Sequence, residues 1–234
     1  MIKNRRATRF EYILFDLDDT LYPYQTGLMD AVLKRIITFM IETLNIPPDD
    51  AHLMRQRYYQ QYGTTVRGLV EEQHIDPQPF LDFIHDIDPK EFFGASPPLN
   101  HLLTLIPLPK VIFTNSDRVH SERVLQTLQV RSHFEEIIDI QTVNYKSKPD
   151  PLAYQRALQI LDVPAECCIM VEDSPRNLLP AKDLGMTTIL VDTNHSATSL
   201  SDFTTAPMLH IDYSVPTVFH VERVLEKFLP MGSL

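Results

Sequence analysis

Cysteine is nearly missing from this sequence: only Cys167 and Cys168 occur, side by side in an apolar run. Neighbouring side chains on a strand point to opposite faces, so the pair offers no disulfide framework, and a reducing, cytoplasmic setting is expected. Long hydrophobic runs are missing too. No stretch of about 18 apolar residues is present to form a membrane-spanning helix. The N-terminus also lacks the apolar core of a signal peptide, so neither feature is expected. Basic charge is scarce, with 21 Lys and Arg against 31 Asp and Glu and a formal net charge of −10. Nucleic-acid binding runs on neutralising phosphates with Lys and Arg, so the balance argues against a nucleic acid polymer as partner, and against an anionic membrane. The local exception is Lys3, Arg5, Arg6 and Arg9. They read as a solvated tail ahead of the first strand or as a small electrostatic patch. No internal repeat is visible.

Hydrophobic residues make up 44% of the chain and charged residues 22%, enough to bury a sizeable core. The run Tyr12-Ile13-Leu14-Phe15 stops at Asp16-Leu17-Asp18-Asp19-Thr20, which reads as a buried strand ending in carboxylates. From Leu28 the spacing changes: Leu28, Val32, Ile36, Met40 and Leu44 recur every four residues, as on an amphipathic helix. Further helices are expected over 49–61, 65–73 and 77–85, before a proline-rich break at Ser96-Pro97-Pro98. No strand is evident from residue 21 to about 97. Residues 22–97 are therefore expected to form a helical cap inserted after the first strand, with 1–21 and 98–234 as the core domain. Strands over 110–114, 136–140, 167–171 and 187–191 then alternate with helices through 124–128, over 151–161 and over 175–184. A strand at 208–211 and a helix over 216–228 close the series, and the Ser/Thr-rich segment 194–207 reads as a loop. Such alternation implies an α/β fold, a Rossmann-like parallel sheet covered by helices.

In open parallel sheets, ligands sit beyond the carboxyl ends of the strands. Four strands here lead into reactive residues: Asp16 and Asp18, Thr114 and Asn115, Lys148, and Glu172 with Asp173. Each has a plain reading alone, as a turn, a helix cap, a surface lysine or a charged loop. Their joint placement at successive strand ends points to a site. Two unit charges 4 Å apart repel by roughly 1 kcal/mol in water and about 4 at an effective dielectric of 20, so the gathered carboxylates need a cation. Oxygen ligands favour a hard ion, and Mg²⁺ suits such a site better than Ca²⁺. A calcium-loop reading fails, because Leu21 stands at the required glycine and Gly27 at the required glutamate. Ser174-Pro175 and Asp150-Pro151 each set a capping residue before a proline fit for the first helical position. Both helix N-termini favour anions, and Lys148, near one of them, can offer positive charge to a transferring phosphoryl group.

These residues resemble the haloacid dehalogenase-like hydrolase superfamily. Phe15-Asp16-Leu17-Asp18-Asp19-Thr20-Leu21 is similar to its first motif, Ile112-Phe113-Thr114-Asn115 to the second, Lys148-Pro149 to the third and Val171-Glu172-Asp173-Ser174 to the fourth. Within it, Leu21-Tyr22-Pro23 and the stretch Tyr62-Gly63-Thr64-Thr65-Val66-Arg67-Gly68-Leu69 resemble the pyrimidine 5′-nucleotidase group. The resemblance implies that Asp16 is a nucleophile forming an aspartyl-phosphate, and that Asp18 is the general acid and then base. It implies that Thr114, the Asn115 backbone and Lys148 hold the phosphoryl oxygens. Mg²⁺ would be bound by the Asp16 side chain, the Asp18 carbonyl and Asp173, with Glu172 acting through water. An acid at position 18 favours a phosphatase over a dehalogenase. The implied substrate is a small phosphate monoester, with a pyrimidine nucleoside 5′-monophosphate favoured; a sugar phosphate, phosphoglycolate, a mutase reaction or a weakly catalytic binding role stand as alternatives. The cap would be a lid. Arg67 is then either its substrate contact or a structural ion-pair partner, and Tyr58, Tyr59 and Tyr62 either stack on a base or pack. The histidines, among them His74, His85, His101, His120 and His133, show no metal-ligand spacing and are expected to be solvated or structural.

Overall fold

The computed structural model of the chain describes residues 10–192 and 208–229. Strand β1 (Tyr12–Phe15) buries both faces: Ile13 and Phe15 join one apolar cluster and Leu14 another. Strands apolar on both sides suit a parallel sheet covered twice. β1 joins β2 (Lys110–Phe113), β3 (Phe134–Ile138), β4 (Cys168–Glu172), β5 (Thr187–Val191) and β6 (Tyr213–Val215) in one sheet of order β3-β2-β1-β4-β5-β6, every pair parallel. The expected α/β Rossmann-like architecture is present.

The link from β1 to β2 carries α1 (Leu28–Glu42), α2 (Pro48–Tyr62), α3 (Thr65–Gln73), α4 (Pro77–Ile84) and α5 (Pro97–Leu105). After β2 come α6 (Arg118–Thr127), α7 (Pro151–Leu161), α8 (Pro175–Leu184) and α9 (Val221–Leu225). Helices α5, α6 and α9 cover one sheet face, and α7 and α8 the other. Helices α1 to α4 bury a third cluster around Val32, Ile36, Met40, Tyr58, Leu69 and Phe80. In α1 the buried positions include Leu28, Val32, Ile36 and Met40, the four-residue series read from the sequence. Ile140, from the loop after β3, packs into the same cluster and seats these helices over the carboxyl edge of the sheet.

Helices α2 and α3 meet at Gly68, where a Cβ would lie 2.2 Å from Cγ and 2.5 Å from Cβ of the fully buried Tyr58. The base of that ring has nowhere to move. Gly68→Ala is therefore expected to lose about 1–3 kcal/mol of stability by overpacking, despite alanine's better helix propensity. A lowered denaturation midpoint checks this; an unchanged or raised one contradicts the close packing.

Three elements differ from expectation. The prolines at 97 and 98 open helix α5 instead of breaking the chain, since the first helical turn needs no N–H donor at those positions. The last strand is Tyr213–Val215 rather than 208–211. Leu209 is wholly exposed, and Asp212 ties the chain to β5 by accepting from the Thr188 N–H (2.9 Å) before pairing begins. The helix expected over 216–228 is a 3₁₀ turn, Val218–His220, followed by the short α9. The basic tail and the 194–207 loop lie outside the described residues. No described helix is long and apolar enough to cross a membrane.

Candidate active site

The strand order reverses at β1: β2 and β3 lie on one side of it, β4 to β6 on the other. That reversal opens a crevice at the carboxyl ends of the strands. Asp16 follows β1 directly and donates its N–H to Val171 O (2.9 Å), and Thr114 follows β2 and donates its N–H to Ile138 O (3.0 Å). Glu172 ends β4. Lys148 reaches the same place from the loop before α7, held by Asn115: Asn115 Nδ2 donates to Lys148 O (3.0 Å) and Lys148 N–H donates to Asn115 Oδ1 (2.8 Å). The Asn115 side chain thus splints the lysine loop, a task its sequence position did not announce. Gly63 lies against the same loop with a φ of +89°, and a Cβ there would sit 2.4 Å from Lys148 O, so only glycine fits.

The Lys148 ammonium spends its three protons on Asp16 Oδ1 (2.7 Å), Glu172 Oε2 (2.7 Å) and Phe113 O (2.8 Å). Burial alone would depress its pKa, but the two carboxylates outweigh burial and raise it. Burial, then the Glu172 charge, push Asp16 up to about 7 against the pull of Lys148. Burial likewise takes Glu172 to about 7, with Lys148 opposing and Asp173 adding to it. Asp173 rises to about 6 through burial and the Asp16 charge. Thr20 bridges two of the acids, its hydroxyl donating to Asp173 Oδ1 (3.1 Å) and lying 3.3 Å from Asp16 Oδ2.

One ammonium faces three carboxylates, and oxygens of Asp16, Glu172 and Asp173 lie within 4.8 Å of one another. A buried, all-oxygen donor set with surplus negative charge fits a hard divalent cation.

Asp18 is held differently. Tyr22 donates its hydroxyl to Oδ1 (2.5 Å), Ser116 donates to Oδ2 (2.6 Å), and His120 Nε2 lies 2.8 Å from Oδ1. Burial would raise its pKa, but the charge and hydrogen bond of His120, with those of Ser116 and Tyr22, outweigh burial and hold the carboxyl well below the usual range. Of the two expected states, solvated or structural, His120 is not solvated: it is 1% exposed, and its ring stacks on that of the buried His85 with centroids 4.5 Å apart. The one hint in the sequence is that His120 falls in the first turn of the helix after β2.

A cavity of about 410 Å³ opens onto Asp16, Asp18, Thr114, Asn115, Lys148, Glu172 and Asp173. Its far wall is built from Met29, Val32, Ile36 and Phe80, with Arg55 and Tyr59. Arg67 is not in this wall. Its guanidinium pairs with Asp150 Oδ2 at 2.7 Å, the capping residue of α7, which draws it away from the position expected of a substrate contact. Of the three tyrosines, Tyr58 packs in the core of the inserted helices and only Tyr59 faces the cavity.

The family of haloacid dehalogenase-like hydrolases matches residues 10–185, a span holding all four strand-end motifs. The chain belongs to this family. Among curated relatives, it is 26% identical over 190 residues to phosphate metabolism protein 8 of Saccharomyces cerevisiae, an alignment covering 74% of this chain and 58% of the yeast protein. The chain thus spans under two thirds of that relative's length. It is 25% identical over 191 residues to a phosphoglycolate phosphatase of Chromobacterium violaceum, covering 76% of this chain and 83% of that one. Among solved structures, a haloacid dehalogenase-like phosphatase from Thermococcus onnurineus superposes with a TM-score of 0.61 at 18% identity, over 92% of this chain and 98% of that chain. At that identity the likeness speaks for the fold. The family's hydrolase chemistry fits a carboxylate, Asp16, set beside a buried ammonium and an acidic cation site.

Proposed function

We propose that this protein is a Mg²⁺-dependent phosphatase that hydrolyses a small phosphate monoester, a pyrimidine nucleoside 5′-monophosphate being the favoured substrate. The observation that carries the reading is the buried Lys148 ammonium held 2.7 Å from both Asp16 and Glu172 at the edge of the acidic cluster. Asp16 attacks phosphorus, and the leaving oxygen departs with a proton from Asp18. On return, Asp18 takes a proton from water, which attacks the aspartyl-phosphate and frees Asp16 and phosphate. Lys148, Thr114 and the Asn115 backbone steady the phosphoryl oxygens. Asp16, Asp173 and the Asp18 carbonyl, with Glu172 behind them, would hold Mg²⁺, whose charge would offset that of the phosphoryl group. Placement and electrostatics supply most of such catalysis.

Residues 22–97 act in this reading as a cap over the carboxyl edge, excluding water during transfer. The apolar far wall, with the Arg55 guanidinium and the exposed Tyr59 ring, supports a leaving group that has a flat apolar body and polar edges, as a nucleoside has. Arg55 forms no hydrogen bond or ion pair with another described residue, and it takes the substrate role expected of Arg67. A second reading, phosphoglycolate, draws on the relative from Chromobacterium violaceum and on the ability of Arg55 to pair with a carboxylate.

The test is phosphate release from nucleotides, sugar phosphates and phosphoglycolate, with Mg²⁺ and with EDTA, alongside melting curves. Selective EDTA-sensitive release from UMP or CMP is expected. Mg²⁺ at 100 times its dissociation constant should add about 2.7 kcal/mol of stability. That gain should be larger at pH 8 than at pH 5, because Asp16, Glu172 and Asp173, with values raised to about 7, 7 and 6, must shed protons to bind it. No release from any ester, with no Mg²⁺ effect on melting, sinks the reading.

A further inference from the structure

The contacts around Asp18 come from two parts of the chain. His120 sits in the first turn of α6, where its backbone N–H donates to the capping residue Asp117 (2.7 Å to Oδ1). His85 ends α4, among the inserted helices; its Nδ1 lies 2.8 Å from Asp117 Oδ2, and Arg123 donates to its carbonyl oxygen (3.0 Å). The two rings stack with an interplanar angle of 29°. Oδ1 faces His120 Nε2 at 2.8 Å and accepts there both when Asp18 is ionised and when its proton sits on Oδ2, so His120 Nε2 carries the hydrogen toward Asp18. Oδ1 then accepts from both Tyr22 and His120 and is filled, while Oδ2 accepts from Ser116 alone and keeps one lone pair. Asp18 lines the cavity and so does His85, but His120 lies behind them.

We propose that His120 is a positioning residue for Asp18. It pins Oδ1 from behind and leaves Oδ2 to exchange protons with the leaving oxygen and with water, and the stacked His85 makes this posture depend on the inserted helices being in place. The inference rests on the phosphatase reading above.

The test uses the full chain and compares an alkyl phosphate with 4-nitrophenyl phosphate, whose leaving group departs without a proton. For His120→Ala, kcat/KM on the alkyl ester is expected to fall about 10- to 100-fold, part of the 10²–10⁴ that acid–base catalysis supplies. On the aryl ester kcat/KM should stay within about threefold, because it reports only the first, acid-independent transfer. The return step still needs Asp18 as base, so that variant should show a burst of nitrophenolate. His120→Gln, which can still donate toward Asp18, should recover most of the alkyl activity. His85→Ala should shift the alkyl-to-aryl ratio the same way by about 2- to 10-fold, the worth of one aromatic pair, and it decides the matter where His120→Ala does not fold. Equal losses of kcat/KM on both esters, or none on either, overturn the positioning role while leaving the phosphatase reading intact. A wild-type protein that releases phosphate from none of the nucleotides, sugar phosphates, phosphoglycolate or these two esters removes both.

Discussion

Asp16→Asn is expected to lose turnover of every ester by about 10⁴-fold or more, as happens when a covalent nucleophile is removed. The asparagine keeps an oxygen able to accept from Lys148, which lies 2.7 Å from Asp16 Oδ1 in the wild type, so the fold should persist. Stability should even improve above neutral pH in EDTA. Burial and Glu172 raise Asp16 from 3.8 to about 7. A raised folded value means that this group's stabilising contribution is complete below its unfolded value and is lost as pH climbs through about 7. Asparagine never ionises, so its melting temperature relative to wild type should rise between pH 5 and pH 8. Phosphate release and melting curves on the same preparations check both halves. Near-full Mg²⁺-dependent turnover by Asp16→Asn would refute the covalent route.

Lys148→Met should produce the largest loss of stability. Methionine fills a similar space but leaves Asp16, Glu172 and the Phe113 carbonyl without their shared donor in a site where Lys148 is 1% exposed. Breaking a buried charge pair from one side costs about 3–5 kcal/mol. The loss should be greatest at pH 8 in EDTA. At pH 5 it should shrink, since Asp16 and Glu172, both raised to about 7, can take up protons and shed their unpaired charge. Mg²⁺ should restore part of it by replacing the missing positive charge. Denaturation at the two pH values, with and without Mg²⁺, measures this. Unchanged stability at pH 8 in EDTA would mean that the ammonium is not what balances the acids.

The strand-end residues were legible because each directly follows an apolar run or stands near a recognisable cap. Asp16, Thr114 and Glu172 are placed by backbone geometry alone, since a parallel sheet sends every carboxyl end to one edge. Lys148 needed more. It lies in a loop, and the Asn115 side chain brings its backbone to the site. Between the two readings of Arg67 the sequence could not choose, because the motif around it marks a turn of helix, whereas the direction of its side chain depends on Asp150, 83 residues away in sequence. His85 and His120 were passed over for a like reason. Nothing in their spacing records that α4 and α6 pack close enough to stack the two rings.

The sequence by itself determined the α/β architecture, the insertion after β1 and the gathering of carboxylates at the sheet edge, because hydrophobic periodicity and strand-end position are local properties of the chain. Tertiary structure alone decided which polar groups meet across the cavity: Lys148 between Asp16 and Glu172, Asp18 pinned by Tyr22, Ser116 and His120, and Arg55 rather than Arg67 in the far wall. Side-chain direction and the distance between helices distant in sequence arise from packing, where a difference of a few ångströms separates a hydrogen bond from none.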